Sequence, residues 1–339
     1  MKGYVMQRTN NTTMGAMAMK RPGALAALAL AVVVSFAALL ALSGCGTAEN
    51  MASSTGSASS SGSPSSQSGD QTSGTKLVVG SQDFYENEIV AEAYAQALEA
   101  GGYSVERDFR IGQREVYMPE IEAGKVDVFP EYTGNLLQYY DEDTQATESQ
   151  DVYNALAGAL PKGLRVLDQA DATDADSYVV TKAFADEHNV SSIGDLASIE
   201  GLVLAGNSEL EQRPYGPEGL KSVYGVEIAQ FKPVEDSGGP LTVKALRDGD
   251  ATVVDLYSST PELASGDLVV LDDPKGLFLA SHVVPVVSDN VDEGAAAIID
   301  KVSAALSPEK LVWMNDQSVN VVRPAADIAE DFLTQAHLL

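Results

Sequence analysis

The chain has 339 residues, 45% of them hydrophobic, and a formal net charge of −28 at pH 7. So acidic a surface repels nucleic acid and anionic lipid headgroups, which sets nucleic acid aside as a partner. One cysteine, Cys45, and three widely separated histidines (His188, His282, His337) exclude an internal disulfide framework and a thiolate or paired-histidine metal site.

The first 44 residues are of another kind. Four of the 21 basic residues (Lys2, Arg8, Lys20, Arg21) and none of the 49 acids fall there, and an apolar run over 23–43 follows Lys20 and Arg21. A basic region, an apolar region and small residues at its end read as a secretory signal over 1–44. The end, Leu42, Ser43, Gly44 and Cys45, resembles a bacterial lipobox. Acylated at that cysteine, the mature protein is anchored to the outer face of the membrane without a span. The alternative is a plain transmembrane anchor, since the run is long enough to cross a bilayer. Residues 45–75 are rich in Ser, Gly, Thr and Gln and cannot form a core. They read as a flexible spacer reaching about 30 Å.

The folded part starts at Lys76. Period and punctuation predict a strand over 77–80, a helix over 86–100 ended by Gly101 and Gly102, a strand near 105–111, a helix over 116–123 and a strand from 126. Helices follow over 136–140 and 150–160, then strands over 164–167 and 178–181 and a short helix over 183–187. Further on come a turn at 193–196, strands over 202–206, 252–256, 269–272 and 283–287, and helices over 218–224, 243–248, 295–306, 308–315 and 325–336. Strands alternate with helices throughout, which predicts an α/β protein with mostly parallel pairing.

One phrase occurs twice. Gly124 precedes a strand that ends at Tyr132, and Gly249 precedes a strand that ends at Tyr257, each tyrosine eight positions after its glycine. Each copy reads as a helix end, a glycine cap, a buried strand and a polar loop. Two matched lobes offering one tyrosine each to a shared cleft would account for the pairing; so would two ordinary αβ units whose tyrosines cap a sheet. Catalytic signatures are absent from the sequence: it has no G-x-S-x-G elbow, phosphate loop, H-E-x-x-H or G-x-G-x-x-G. Neither an enzyme nor a bound cofactor is expected.

Four stretches carry a resemblance. G-S-Q-D-F-Y-E-N-E-I-V-A-E-A-Y at 80–94, I-E-A-G-K-V-D-V-F-P-E-Y-T-G-N at 121–135, D-S-Y-V-V-T-K-A-F-A at 176–185 and E-L-E-Q-R-P-Y-G-P-E-G-L at 209–220 are similar to the substrate-binding lipoproteins of osmoprotectant ABC transporters, the glycine betaine/choline/carnitine type. The resemblance spans 76–339. It implies the two-lobed type II periplasmic-binding-protein fold with a ligand cleft between lobes, 76–178 plus 284–339 forming lobe I and 179–283 lobe II. It also implies a monomeric receptor that delivers its solute to an ABC permease and its ATPase. A ligand-sensing extracellular domain of the same fold is the alternative of another class.

The chemistry of such a ligand suits tyrosines. A quaternary ammonium has no N–H to donate, so it is held by the negative faces of aromatic rings, at about 0.5–2 kcal/mol per contact. The resemblance assigns Tyr132, Tyr178 and Tyr257 to the cage, with Asp176 beside it. It assigns Arg213 to a ligand carboxylate, whose geometry a planar guanidinium matches. Gln82 and Asn135 occupy polar positions where relatives often carry lysine and threonine. The family's aromatic before the last hinge strand is replaced here by Ser281 or His282, so the fourth wall would come from His282 or Phe278. That change leaves choline, carnitine, glycine betaine and a trimethylated amino acid all open as ligands.

Overall fold

The computed structural model describes residues 76–339. The signal, Cys45 and the spacer lie outside the described residues.

The first sheet is built from β1 (Lys76–Gly80), β2 (Ser104–Asp108), β3 (Val128–Tyr132), β4 (Leu164–Val166) and, far along the chain, β10 (Val283–Ser288). Between them run α1 (Tyr85–Ala100), α2 (Arg114–Glu122), α3 (Thr133–Tyr140) and α4 (Ser149–Ala159). The second sheet holds β5 (Asp176–Thr181), β6 (Leu202–Gly206), β7 (Ile228–Pro233), β8 (Val253–Tyr257) and β9 (Leu268–Val270), with α5 (Lys182–His188), α6 (Pro217–Gly219) and α7 (Pro240–Arg247) in the connections. Three helices close the chain, α8 (Glu293–Ala305), α9 (Pro308–Val319) and α10 (Ala325–Gln335). The strand orders are β2-β1-β3-β10-β4 and β7-β6-β8-β5-β9, so the two sheets share one topology. β5 lies wholly in the second sheet, Tyr178 included.

Apolar periodicity explains the packing. In α1 the residues Ile89, Val90, Ala93, Tyr94, Ala97 and Leu98 are buried, and they pack with Ile299, Leu311, Met314 and Phe332 of the last three helices on one face of the first sheet. The other face is covered by α2, α3 and α4 through Tyr117, Met118, Leu136, Leu137, Val152 and Leu156. The second sheet has its own two cores, one around Tyr178, Leu204 and Leu220, the other around Val243, Leu246 and Val254.

Two expectations are corrected. The pairing is mixed rather than mostly parallel. β1 and β2, β1 and β3, β6 and β7, and β6 and β8 pair parallel, whereas β3 and β10, β10 and β4, β5 and β8, and β5 and β9 pair antiparallel. The cause is the double crossing between sheets. β1, β3, β6 and β8 run toward the cleft, whereas β5 and β10 enter their sheets from the cleft and run the other way. β7 is a strand that periodicity missed. Its residues are half-buried or exposed, and it holds to β6 through backbone bonds, so no apolar alternation marks it.

The repeated phrase occupies equivalent places. Gly124 and Gly249 follow α2 and α7 with φ of +70° and +77°, and Tyr132 and Tyr257 are the last residues of β3 and β8. Each of those strands is the middle one of its five.

Candidate functional site

The strand ends of both sheets converge on one cavity of 640 Å³, its open mouth included. Gln82 and Phe84 follow β1, Gln113 and Arg114 follow β2, and Tyr132 and Asn135 sit where β3 becomes α3. From the second sheet come Glu209, Arg213 and Tyr215 after β6, Ser237 after β7, and Asp255 and Tyr257 at the end of β8. Asp174 and Asp176 enter from the crossing into β5. Loops at the carboxyl ends of strands are where an α/β sheet offers side chains to a ligand.

Four aromatic rings line the cavity: Phe84, Tyr132, Tyr215 and Tyr257. Phe84 stands edge-on to Tyr257, with ring centroids 5.1 Å apart, and lies 6.4 Å from Tyr132. Tyr132 is tied in place: its hydroxyl donates to Glu86 Oε1 at 2.9 Å and accepts from Asn87 Nδ2 at 3.2 Å. Burial first, and then the charge of Glu86, push the Tyr132 hydroxyl well above its ordinary pKa, so the ring stays neutral.

The expected residues divide. Gln82, Tyr132, Asn135, Asp176, Arg213 and Tyr257 line the cavity. Tyr178 and His282 do not. Tyr178 is wholly buried, two residues further along β5 than Asp176; its hydroxyl donates to the Tyr215 carbonyl at 2.6 Å and its ring lies 5.1 Å from that of Phe278. It is the support beneath Tyr215, whose ring lines the cavity. Phe278 packs 5.4 Å from Tyr215 as part of the same support. His282 lies in the crossing before β10, its Nδ1 2.9 Å from the Ala170 carbonyl oxygen and its N–H donating to Thr133 Oγ1. It orders the hinge segment instead of facing the cleft.

Ser281, 2% exposed, also acts on the site indirectly. Its hydroxyl donates to Asn135 Oδ1 at 2.7 Å. The contact needs Gly134, where a Cβ would stand 2.9 Å from the Ala280 carbonyl oxygen. Asn135 Nδ2 in turn donates to Asp176 Oδ2 and, at 3.0 Å, to the Tyr215 hydroxyl. An amide nitrogen has two hydrogens, and both are now committed.

Charges complete the site. Arg114 is bidentate to Glu131 at 2.8 and 2.9 Å, with side chains 7% and 0% exposed. Tyr117 also donates to Glu131, at 2.6 Å, and so does the Tyr132 backbone N–H, at 2.9 Å. Arg213 pairs across the cleft with Glu115, at 3.2 Å through its second nitrogen. Both cavity arginines therefore have carboxylate partners. Among the described residues, the carboxylates of Asp174, Asp176, Glu209 and Asp255 have no arginine or lysine within ion-pair distance. Burial raises all four above the ordinary carboxylate range, and in Asp174 and Asp255 the charges of Glu86 and Asp176, respectively, add to it. Among the described residues no group of carboxylates, histidines or cysteines is arranged to hold a metal ion.

Sequence reasoning missed Phe84, Arg114, Glu209, Tyr215 and Asp255. Phe84 and Tyr215 were inside the quoted motifs, two residues past Gln82 and Arg213. Asp255 stands two before Tyr257 and so on the same face of β8, a signal that strand period alone carries.

A fold of this kind, two α/β lobes closing on one cleft, is that of periplasmic binding proteins. Solved structures agree. A glycine betaine/carnitine/choline ABC transporter structure superposes with a TM-score of 0.63 at 19% identity, over 78% of this chain and 98% of that one. Lactococcal OpuAC, closed on glycine betaine, superposes with a TM-score of 0.56 at 14% identity, over 77% of this chain and 96% of that one. Residues 75–335 match the substrate-binding domain of ABC-type glycine betaine transport systems, and the chain belongs to that family. The glycine betaine-binding protein YehZ of Escherichia coli (strain K12) is 25% identical over 272 residues, 76% of this chain and 89% of the relative. The ergothioneine transport permease/ergothioneine binding protein EgtU of Helicobacter pylori (strain G27) is 22% identical over 276 residues, 77% of this chain and 48% of the relative. The protein is thus a substrate-binding protein of a glycine betaine-type ABC transporter and not an enzyme, and its place is extracytoplasmic. Among the described residues no helix is long and apolar enough to cross a membrane.

Proposed function

We propose that this protein captures a quaternary-ammonium compatible solute between its lobes and hands it to an ABC permease driven by its ATPase. The observation that carries the reading is the meeting of Phe84 and Tyr132 from one lobe with Tyr215 and Tyr257 from the other, around a cavity whose unpaired charges are carboxylates. A cation without N–H gains from ring faces and from nearby negative charge, and gains most once water is excluded. Only the closed cleft presents all four rings, so ligand binding favours closure. In this reading the lobes are 76–178 plus 284–339 and 179–283, with the first boundary drawn instead at the start of β5, whose residues pair only within the second sheet.

Tyr257→Ala removes a wall without touching the buried Tyr132 network, and we expect it to weaken choline and glycine betaine more than tenfold in calorimetry. Unchanged affinity for both would sink the cage. A trimethylated amino acid is the second reading; the Helicobacter relative, named for ergothioneine, a betaine of that kind, favours it. Anchoring through lipid on Cys45 is part of the same proposal: Cys45→Ala should move the protein from membrane to soluble fraction, and retention at the membrane would contradict it.

A further inference from the structure

The crossing before β10 carries a buried hydroxyl that the cage leaves unexplained, Ser281, at the place where an aromatic was expected. Its oxygen accepts from the Gly134 backbone N–H at 3.3 Å, and its one hydrogen goes to Asn135 Oδ1 at 2.7 Å. A backbone N–H can only donate, and this fixes the direction in which the series runs. With Oδ1 held by Ser281, the Asn135 amide turns Nδ2 the other way, to Asp176 Oδ2 and, at 3.0 Å, to the Tyr215 oxygen. That oxygen accepts, so the Tyr215 hydroxyl still has its own hydrogen to give, and among the described residues none takes it. Burial first, and then the charge of Asp176, push the Tyr215 hydroxyl well above its ordinary pKa, so the hydrogen is kept. The series joins three parts of the chain: Ser281 from the crossing, Gly134 and Asn135 from α3, and Tyr215 from the segment after β6.

We infer that Ser281 is a positioning residue for ligand binding: it sets the direction of this hydrogen-bond series, so that Tyr215 presents its O–H to a carboxylate at the far end of the quaternary amine. The inference rests on the quaternary-ammonium reading above and adds how the other end is oriented. The class of acceptor follows from the neighbours. Arg114 and Arg213 line the same cavity, Arg213 two residues before Tyr215, and each keeps N–H groups beyond those given to its glutamate. A hydrogen bond to an ionised acceptor is roughly twice as strong as one between neutral groups, so a carboxylate gains most there. An Asn135 amide turned about would place Oδ1 toward Tyr215; the phenol would donate to it, and its hydrogen would be lost to the ligand. The hydroxyl at 281 thus decides whether Tyr215 donates to the ligand or to its neighbour. A side chain without a hydroxyl cannot make that choice.

The test is calorimetry with glycine betaine and with tetramethylammonium, which has the cage group and no acceptor. Ser281→Ala should weaken glycine betaine about fivefold or more and leave tetramethylammonium within about twofold of the wild type. Retained tetramethylammonium binding also shows that the variant is folded with its rings in place. Tyr215→Phe should weaken glycine betaine about tenfold or more. The double variant should lose no more glycine betaine affinity than Tyr215→Phe alone, because Ser281 acts only through that hydroxyl. Losses that multiply in the double variant overturn the proposal, since Ser281 then acts by another route. So does a Ser281→Ala variant that loses both ligands alike, which marks a structural role, or one that loses neither. A wild-type protein that binds neither ligand is the failure of the cage reading and takes this inference with it. One that binds tetramethylammonium and refuses glycine betaine overturns this inference alone.

Discussion

The two lobes share a strand order and a Gly-to-Tyr phrase, and they differ at the positions between. Where β3 has Pro130, Glu131 and Tyr132, β8 has Asp255, Leu256 and Tyr257. In the first lobe the carboxylate is Glu131, one residue before the tyrosine, and it is consumed internally by Arg114, Tyr117 and the Tyr132 N–H. In the second lobe the carboxylate is two before the tyrosine, on the tyrosine's own face, where Asp255 lines the cavity instead of being consumed by an arginine. Pro130 faces Pro285 on β10, and its carbonyl takes a hydrogen bond from Asn87 at 2.8 Å. The first lobe is thereby a fixed wall, braced by Glu86, Asn87 and Glu131. The second places Glu209, Arg213 and Asp255 in the wall of the cavity. One scaffold used twice turns a carboxylate from an internal brace into a cavity wall by moving it one residue along a strand.

Substitutions that attack the brace should have the largest effects. Glu131→Ala leaves the Arg114 guanidinium buried and uncompensated and should cost about 3–5 kcal/mol in chemical denaturation. The matching change Leu256→Ala makes a cavity and should cost roughly 2–5 kcal/mol, but with no loss that salt or pH can modulate. A smaller contrast comes from the two hydroxyls. Tyr132→Phe withdraws a donor from the wholly buried Glu86 and should lower stability by about 1–3 kcal/mol, whereas Tyr257→Phe should stay within about 0.5 kcal/mol. Equal losses from the two would abolish the distinction between braced and mobile wall.

The smallest predicted effect is one of slope. Asp174 is faced by Glu86, Ser259 and Asp176, and Glu86 by Tyr132, Ser259 and Asn315. Burial raises both acids, so the folded state holds protons that the unfolded state has already released. Stability should then fall as pH rises from about 4, the unfolded carboxylate range, toward the raised folded value. Acids lowered by ion pairing, such as Glu99 beside Arg107, act in the opposite direction and below that window. Asp174→Asn should flatten the decline above about pH 4 in denaturant midpoints, and an unaltered slope would show that the pair does not titrate with folding.

Much of this was legible in the sequence, for identifiable reasons. The strands and helices of both lobes carry strong apolar periods, and the repeated phrase marked the middle strand of each sheet. Tyr132, Tyr257 and Asp176 stand at strand ends and Gln82, Asn135 and Arg213 in the segments that follow strands, and all six line the cavity. Tyr178 was misplaced because Asp176 and Tyr178 share a face of β5, and only packing by Tyr215 and Phe278 decides which of them reaches the cavity. The same packing hid Tyr215. β7 was missed because an edge strand paired through its backbone needs no apolar alternation. Antiparallel pairing came from the chain crossing twice between lobes, which a local pattern does not encode.

The central claim is that the cleft closes on a quaternary ammonium. Isothermal titration of the protein with choline and with ethanolamine tests it most directly, because the two share a hydroxyl and a charge and differ in the methyl groups that ring faces contact. The account predicts choline bound at least tenfold tighter. Ethanolamine bound as tightly or tighter would mean that the carboxylates recognise an N–H cation and that the four rings are not a cage.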